Sequence, residues 1–189
     1  MSWMLLLATE ALAGPADVIA NEGVTVVVRG LGESWDDASL GGLYRPSAFL
    51  GGVGLVVPVH PLLSVDIEVA SGRYVGPCEG EDCEGYKLSV RPVSVVFEGN
   101  VPMDKGVFFA GVGPSLATFS EVADVTTVGS KGSLDFRVGI RWDMDLQLDN
   151  VSTQFELYGG RRVQRWGPEV NPGFDLAAWR GSAGVGFVF

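Results

Sequence analysis

Several groupings in this chain are of types that do chemistry elsewhere, and each falls short of a reactive site. The single histidine, His60, sits in Pro58-Val59-His60-Pro61. A histidine base acts on a hydroxyl or thiol held at hydrogen-bond distance, and no nucleophile motif accompanies this one. His60 therefore reads as a solvated turn residue. Asp143-x-Asp145-x-Gln147-x-Asp149 opens like a calcium loop. Such a loop needs glycine at its sixth position and a closing glutamate, where this chain has Leu148 and Gln154. Gly111-Val112-Gly113-Pro114 resembles a phosphate loop only in its glycines, because it lies inside a strand pattern and lacks the following helix. Cys78 and Cys83 have four residues between them in an acidic segment with Glu79, Glu81, Asp82 and Glu84. A local disulfide is the favoured reading in an oxidising compartment. A metal site is the weaker alternative, since two thiols do not complete a tetrahedral zinc shell.

The remaining charges follow a period of two, the repeat of a strand whose faces meet different surroundings. Near residues 132–145, Leu134, Phe136, Val138, Ile140, Trp142 and Met144 share one face, opposite Asp135, Arg137, Gly139, Arg141, Asp143 and Asp145. Leu63, Val65, Ile67 and Val69 likewise oppose Ser64, Asp66, Glu68 and Ala70, and Phe155 and Leu157 oppose Gln154, Glu156 and Tyr158. One polar face collects Arg29, Lys87, Arg91, Arg137, Arg141, Arg162 and Arg180. The same face collects Asp66, Glu68, Glu98, Asp135, Asp143, Asp145 and Glu156. Both signs recur at close spacing, which lets buried charges pair rather than stand alone.

Strands that could present these faces are expected near 23–33, 44–57, 62–74, 86–98, 106–119, 132–145, 152–165 and 177–189. Each meets the roughly 9–11 residues with which a tilted strand crosses a bilayer. The connections alternate. Those at 58–61, 100–105 and 146–151 are short; those holding Asp36-Asp37, the cysteines, 123–130 and 168–175 are long. The fourth strand changes phase near Pro92, where a bulge is expected because proline cannot donate to a ladder. Together these features predict an all-β fold, an eight-stranded antiparallel up-and-down transmembrane β-barrel. Its lumen should hold side chains and little else, with no conducting pore.

Composition agrees. The chain has 189 residues, 47% of them hydrophobic, and 27 glycines, with a mean hydropathy of +0.26. No stretch approaches the roughly 18 apolar residues of a spanning helix. The net charge of −10 argues against nucleic acid, which calls for basic patches. A soluble lipocalin-like barrel would turn the apolar face inward. The mixed-sign polar face argues for the inverted arrangement. So do the aromatics near the loop ends (Trp35, Tyr44, Tyr74, Tyr86, Phe119, Trp166, Trp179), expected as an interfacial girdle.

At the termini, residues 1–13 look like a secretory signal ending in Ala11-Leu12-Ala13, although no Lys or Arg precedes the apolar run and Glu10 interrupts it. A start assigned too late or a short helix in the barrel mouth are the alternatives; residues 14–189 then form the single barrel domain. The last strand ends Val185-Gly186-Phe187-Val188-Phe189. In strand count, loop alternation and terminal Phe189, the chain resembles the OmpA/OmpX-like small bacterial outer-membrane barrels. That resemblance implies a non-enzymatic protein without cofactor, both termini periplasmic, anchoring surface loops in envelope integrity, adhesion or surface interaction. Its partners would be outer-membrane lipids and the assembly machinery, which reads Phe189 with Phe187 and Val185. The lipid A-modifying barrels rely on a histidine at the outer surface, which this chain does not offer there. An OmpW-like conduit for small hydrophobic molecules and a soluble ligand-binding barrel are the alternatives.

Overall fold

A computed structural model describes residues 23–36, 47–76, 87–122, 126–148, 151–166 and 176–189. Its strands are β1 (Thr25–Trp35), β2 (Ser47–His60), β3 (Leu63–Val75), β4 (Lys87–Met103), β5 (Gly106–Val122), β6 (Thr126–Leu148), β7 (Val151–Trp166) and β8 (Ala178–Val188). Each pairs antiparallel with its chain neighbour, and β8 returns to β1 to close the barrel. Closure leaves no unpaired edge, which lets strands lie in an apolar medium without orphaned backbone groups. The seam is tied at its end by the Phe189 amide, which donates to the Val24 carbonyl at 3.1 Å.

The wall is inside out relative to a soluble domain. Thr25, Arg29, Glu33, Asp66, Glu68, Glu98, Asp135, Arg137, Arg141, Glu156, Arg162 and Arg180 are buried. Val28, Phe49, Val53, Ile67, Val69, Phe97, Val112, Leu116, Phe136, Val138, Trp142 and Leu157 are exposed. Apolar surface facing water would be costly at this scale, so the soluble-barrel alternative loses its footing.

Strand order and count match the sequence reading, and four details differ. First, β5 and β6 run to Val122 and from Thr126. The connection expected at 123–130 thus shrinks to 123–125, because Thr126, Thr127 and Val128 are good strand formers.

Second, β4 has no phase change at Pro92. Leu88, Val90, Pro92, Ser94, Val96 and Glu98 all point inward. The β3–β4 ladder is interrupted between Val69↔Val93 and Gly72↔Val90, while the β5 side keeps Pro92↔Ala117. The missing donor is absorbed by that gap, without an inserted residue. The register shifts lie elsewhere, at Pro58/His60 and on β6 near Gly132/Ser133 and Met144/Gln147.

Third, Arg91 follows from the same phase. It is exposed on the outer wall, and Lys87 shares that face, so neither belongs to the lumen. Fourth, Trp35, Tyr74 and Phe119 do not form a girdle. They are in phase with the inward residues of their strands and buried. Outward aromatics at that end are Phe49 and Trp179, and Trp142 and Phe189 lie towards the other. Tyr44 and Tyr86 lie outside the described residues, as does the side chain of Trp166.

The β4–β5 hairpin turns on Asp104 and Lys105, and Gly106 follows with φ +141°. Side chains rarely adopt that conformation, and a Cβ there would run into the Arg141 carbonyl.

Candidate functional site: the lumen

The lumen has two storeys, set by what each strand places inward at each level. The storey nearer the short turns is ionic. Arg29, from the middle of β1, lies against the β2 backbone at Gly54, where a Cβ would collide with its guanidinium. From there it reaches Asp66 Oδ2 at 2.7 Å, Glu68 Oε2 at 3.0 Å and Glu156 Oε1 at 2.7 Å. Glu68 also takes Arg137 at 3.2 Å and Arg180 at 2.8 Å, and Tyr158 donates its hydroxyl to it at 2.8 Å. Arg137 bonds Asp66 at 2.7 Å and donates to Ser94 Oγ at 2.6 Å. Arg141 bridges Glu98 and Glu156, each at 2.9 Å, with its guanidinium 4.1 Å from the Phe109 ring centroid.

A second group links the ions to the wall above. Glu33 holds Arg162 at 2.8 Å and Arg180 at 3.0 Å, and Arg180 also meets Asp135 at 2.8 Å. Each carboxylate in these groups has a guanidinium partner. This is what burial demands, because a lone buried charge costs several kcal/mol.

Towards the long connections an apolar cluster packs beside Glu33, Arg162 and Arg180, which lie at the same level. Leu31, Trp35, Leu50, Tyr74, Leu88, Val90, Phe119, Leu176 and Ala178 pack together, with the Trp35 and Tyr74 ring centroids 5.3 Å apart. Tyr74 ties this cluster to the ions by donating its hydroxyl to Glu33 at 3.4 Å.

Of the residues singled out from sequence, Arg29, Asp66, Glu68, Asp135, Arg137, Arg141, Glu156 and Arg180 come together in this network, with Glu98 and Arg162. Asp143 lies at the short-turn mouth, half-buried, accepting from Gln154 Nε2 at 2.7 Å. Arg91 lies outside, as described, and the side chain of Asp145 is outside the described residues. So are Cys78 and Cys83. Glu33 and Ser94 are residues of this network that sequence reasoning missed. Glu33 is in phase with Arg29 and Leu31, but the expected first strand ended on it. His60 is exposed in the β2–β3 turn, where its Nδ1 accepts from the Leu62 amide at 3.2 Å. Val185 and Phe189 face outward, with Phe187 half-buried between them.

No family model matches this sequence, and no curated protein does so either. Solved structures do share its fold. The outer membrane protein OprG of Pseudomonas aeruginosa has a TM-score of 0.59 at 10% identity, over 89% of this chain and 96% of that one. Ail, the attachment invasion locus protein of Yersinia pestis, crystallised with the heparin analogue sucrose octasulfate, gives 0.58 at 12%, over 89% and 99%. Neisserial surface protein A gives 0.53 at 12%, over 88% and 96%. At such identities the likeness is one of fold: the architecture is that of small outer-membrane β-barrels.

Proposed function

We propose that this chain is a non-enzymatic integral protein of the bacterial outer membrane, whose sealed barrel anchors the connections at one end as a surface. The observation that carries the reading is the inverted wall: an outward apolar belt around a lumen that holds paired ions. Both termini of the barrel lie at the end with the short turns, which is the periplasmic end in outer-membrane barrels. The longer connections then face outward from the cell. Residues 1–13 fit an export signal for this route, and Phe189, with Phe187 and Val185, fits the terminal signal read by the assembly machinery.

The connections at that end are acidic in sequence. Asp36, Asp37, Glu79, Glu81, Asp82, Glu84, Asp124, Glu169 and Asp175 all fall at the loop end. A sulfated polyanion such as the one bound by Ail suits that charge poorly, and a cationic or neutral partner suits it better. The apolar cluster in the upper lumen is the feature that favours the alternative, a conduit for small hydrophobic molecules. Below it, however, arginines and carboxylates from β1, β3, β4, β6, β7 and β8 cross the bore.

Fractionation tests the proposal. The protein should pellet with outer membranes, resist an alkaline wash, require detergent, and migrate differently before and after boiling. Recovery as a detergent-free periplasmic monomer would overturn it.

A further inference from the structure

On the outer wall, three adjacent strands change character at one level. Going towards the long connections, β3 passes from Ile67 and Val69 to Ser71 and Arg73. On β4 the run Phe97, Val95 and Val93 gives way to Arg91, Ser89 and Lys87, and on β5 Val112 and Leu116 give way to Thr118 and Ser120. Arg73 pairs in register with Ser89, so Arg91 and Lys87 are its two diagonal neighbours, about 7–8 Å away on the same face. Arg73 and Arg91 are exposed and Lys87 half-exposed.

No carboxylate shares this face of β3, β4 and β5 among the described residues, and no ion pair there engages any of the three cations. Elsewhere at this level the wall neutralises itself. Arg161, on β7, bonds Asp36 at 2.9 Å and lies 5.0 Å from the Trp179 ring centroid. The patch is thus cationic, flanked by hydroxyl donors and seated at the rim of an apolar belt, in a chain whose net charge is −10.

We infer that Arg73, Arg91 and Lys87 bind the phosphate groups of membrane lipids in the leaflet beside the long connections. Guanidinium forks match phosphate oxygens in bidentate fashion, and the spacing lets two forks flank one headgroup while its chains lie along Val69 and Val93. Ser89 adds a hydroxyl at the same level, while the Thr118 hydroxyl donates to the Arg91 carbonyl at 3.3 Å. The inference rests on the membrane reading above.

The test uses the full chain refolded into phosphatidylcholine vesicles, with or without a fraction of phosphatidic acid. An Arg73→Gln/Arg91→Gln variant is compared in both. Lipids retained by the gently extracted protein are quantified by mass spectrometry, with folding checked by unheated gel migration. The native chain should retain phosphatidic acid over phosphatidylcholine by roughly five-fold per cation engaged, the factor ordinary for a Lys or Arg at an anionic surface. The folded variant should lose most of that enrichment. Inorganic phosphate added to phosphatidylcholine vesicles should not compete, which separates a lipid headgroup from a free-phosphate site. Equal enrichment in native and variant chains would overturn the inference. So would no enrichment in the native chain, the result expected if Glu79, Glu81, Asp82 and Glu84 supplied the counter-charge. A chain that enters neither vesicle overturns the membrane reading instead.

Discussion

Replacing Arg29 by methionine asks whether the lumen is a packed ionic solid or a wet bore. Arg29 touches Asp66, Glu68 and Glu156 at 2.7, 3.0 and 2.7 Å, with side chains at most 1% exposed. Asp66 and Glu68 keep Arg137, and Glu156 keeps Arg141, so none is left wholly alone, but each loses a close cation. Breaking a buried ion pair from one side costs about 3–5 kcal/mol. At about 1.4 kcal/mol per tenfold, the folded population falls by two to almost four orders of magnitude relative to the unfolded. Were the bore open to water, the same change would cost at most about 1 kcal/mol, as for an exposed pair.

The assay is equilibrium unfolding by urea in detergent micelles or short-chain lipid, followed by tryptophan fluorescence and unheated gel migration. The double variant Arg29→Met/Glu156→Gln removes a cation and an anion together, so it should be less destabilised than the single Arg29→Met. A loss below about 1 kcal/mol in Arg29→Met, or strictly additive single losses in the cycle, would refute the buried network.

Three further outcomes follow from the same wall and seam. Val138→Arg puts a charge outward near mid-belt on β6 and should cost about 2–4 kcal/mol in lipid, measured by unfolding in vesicles. Gly106→Ala must strain a positive φ and displace the Arg141 carbonyl, so it should destabilise by about 1–3 kcal/mol and slow refolding of the β4–β5 hairpin. Deleting Phe189, whose ring is exposed while its amide closes the seam on Val24, should sharply reduce the assembled protein in cells. It should leave the stability of refolded barrels nearly unchanged; normal membrane levels would detach this C-terminus from assembly.

What was legible in the sequence was what a period of two encodes. Leu134 to Asp145 declares its two faces without ambiguity. The pairing of Arg141 with Glu156 follows from an expected turn over Gln147 to Asn150; the observed turn lies between Leu148 and Val151, and the register shift between Met144 and Gln147 restores the same pair. What failed did so where alternation is degenerate. Around Pro92, apolar residues occupy both faces: Leu88 and Val90 fill the upper lumen, while Val93 and Val95 meet the outer medium. A change of phase and a change of lumen chemistry then look alike in sequence. Arg91 was misplaced for that reason, and Trp35, Tyr74 and Phe119 for its mirror image. An aromatic at a loop end can either cap the bore or face outward at the rim, and only its phase with Arg29 or Glu68 decides. Glu33 shows the cost of a strand boundary, since ending β1 early hid the partner of Arg162 and Arg180.

The central claim is that the exposed residues of the wall face acyl chains. Nitroxide labels at Val53, Val69 and Val138, each 48–52% exposed, test it most directly in vesicles, by comparing relaxation by oxygen with relaxation by a water-soluble nickel chelate. The account predicts that oxygen reaches all three sites and nickel none, while a label at exposed His60 is reached by nickel. Strong nickel relaxation at Val53, Val69 and Val138 in folded protein would show the wall in water and contradict it.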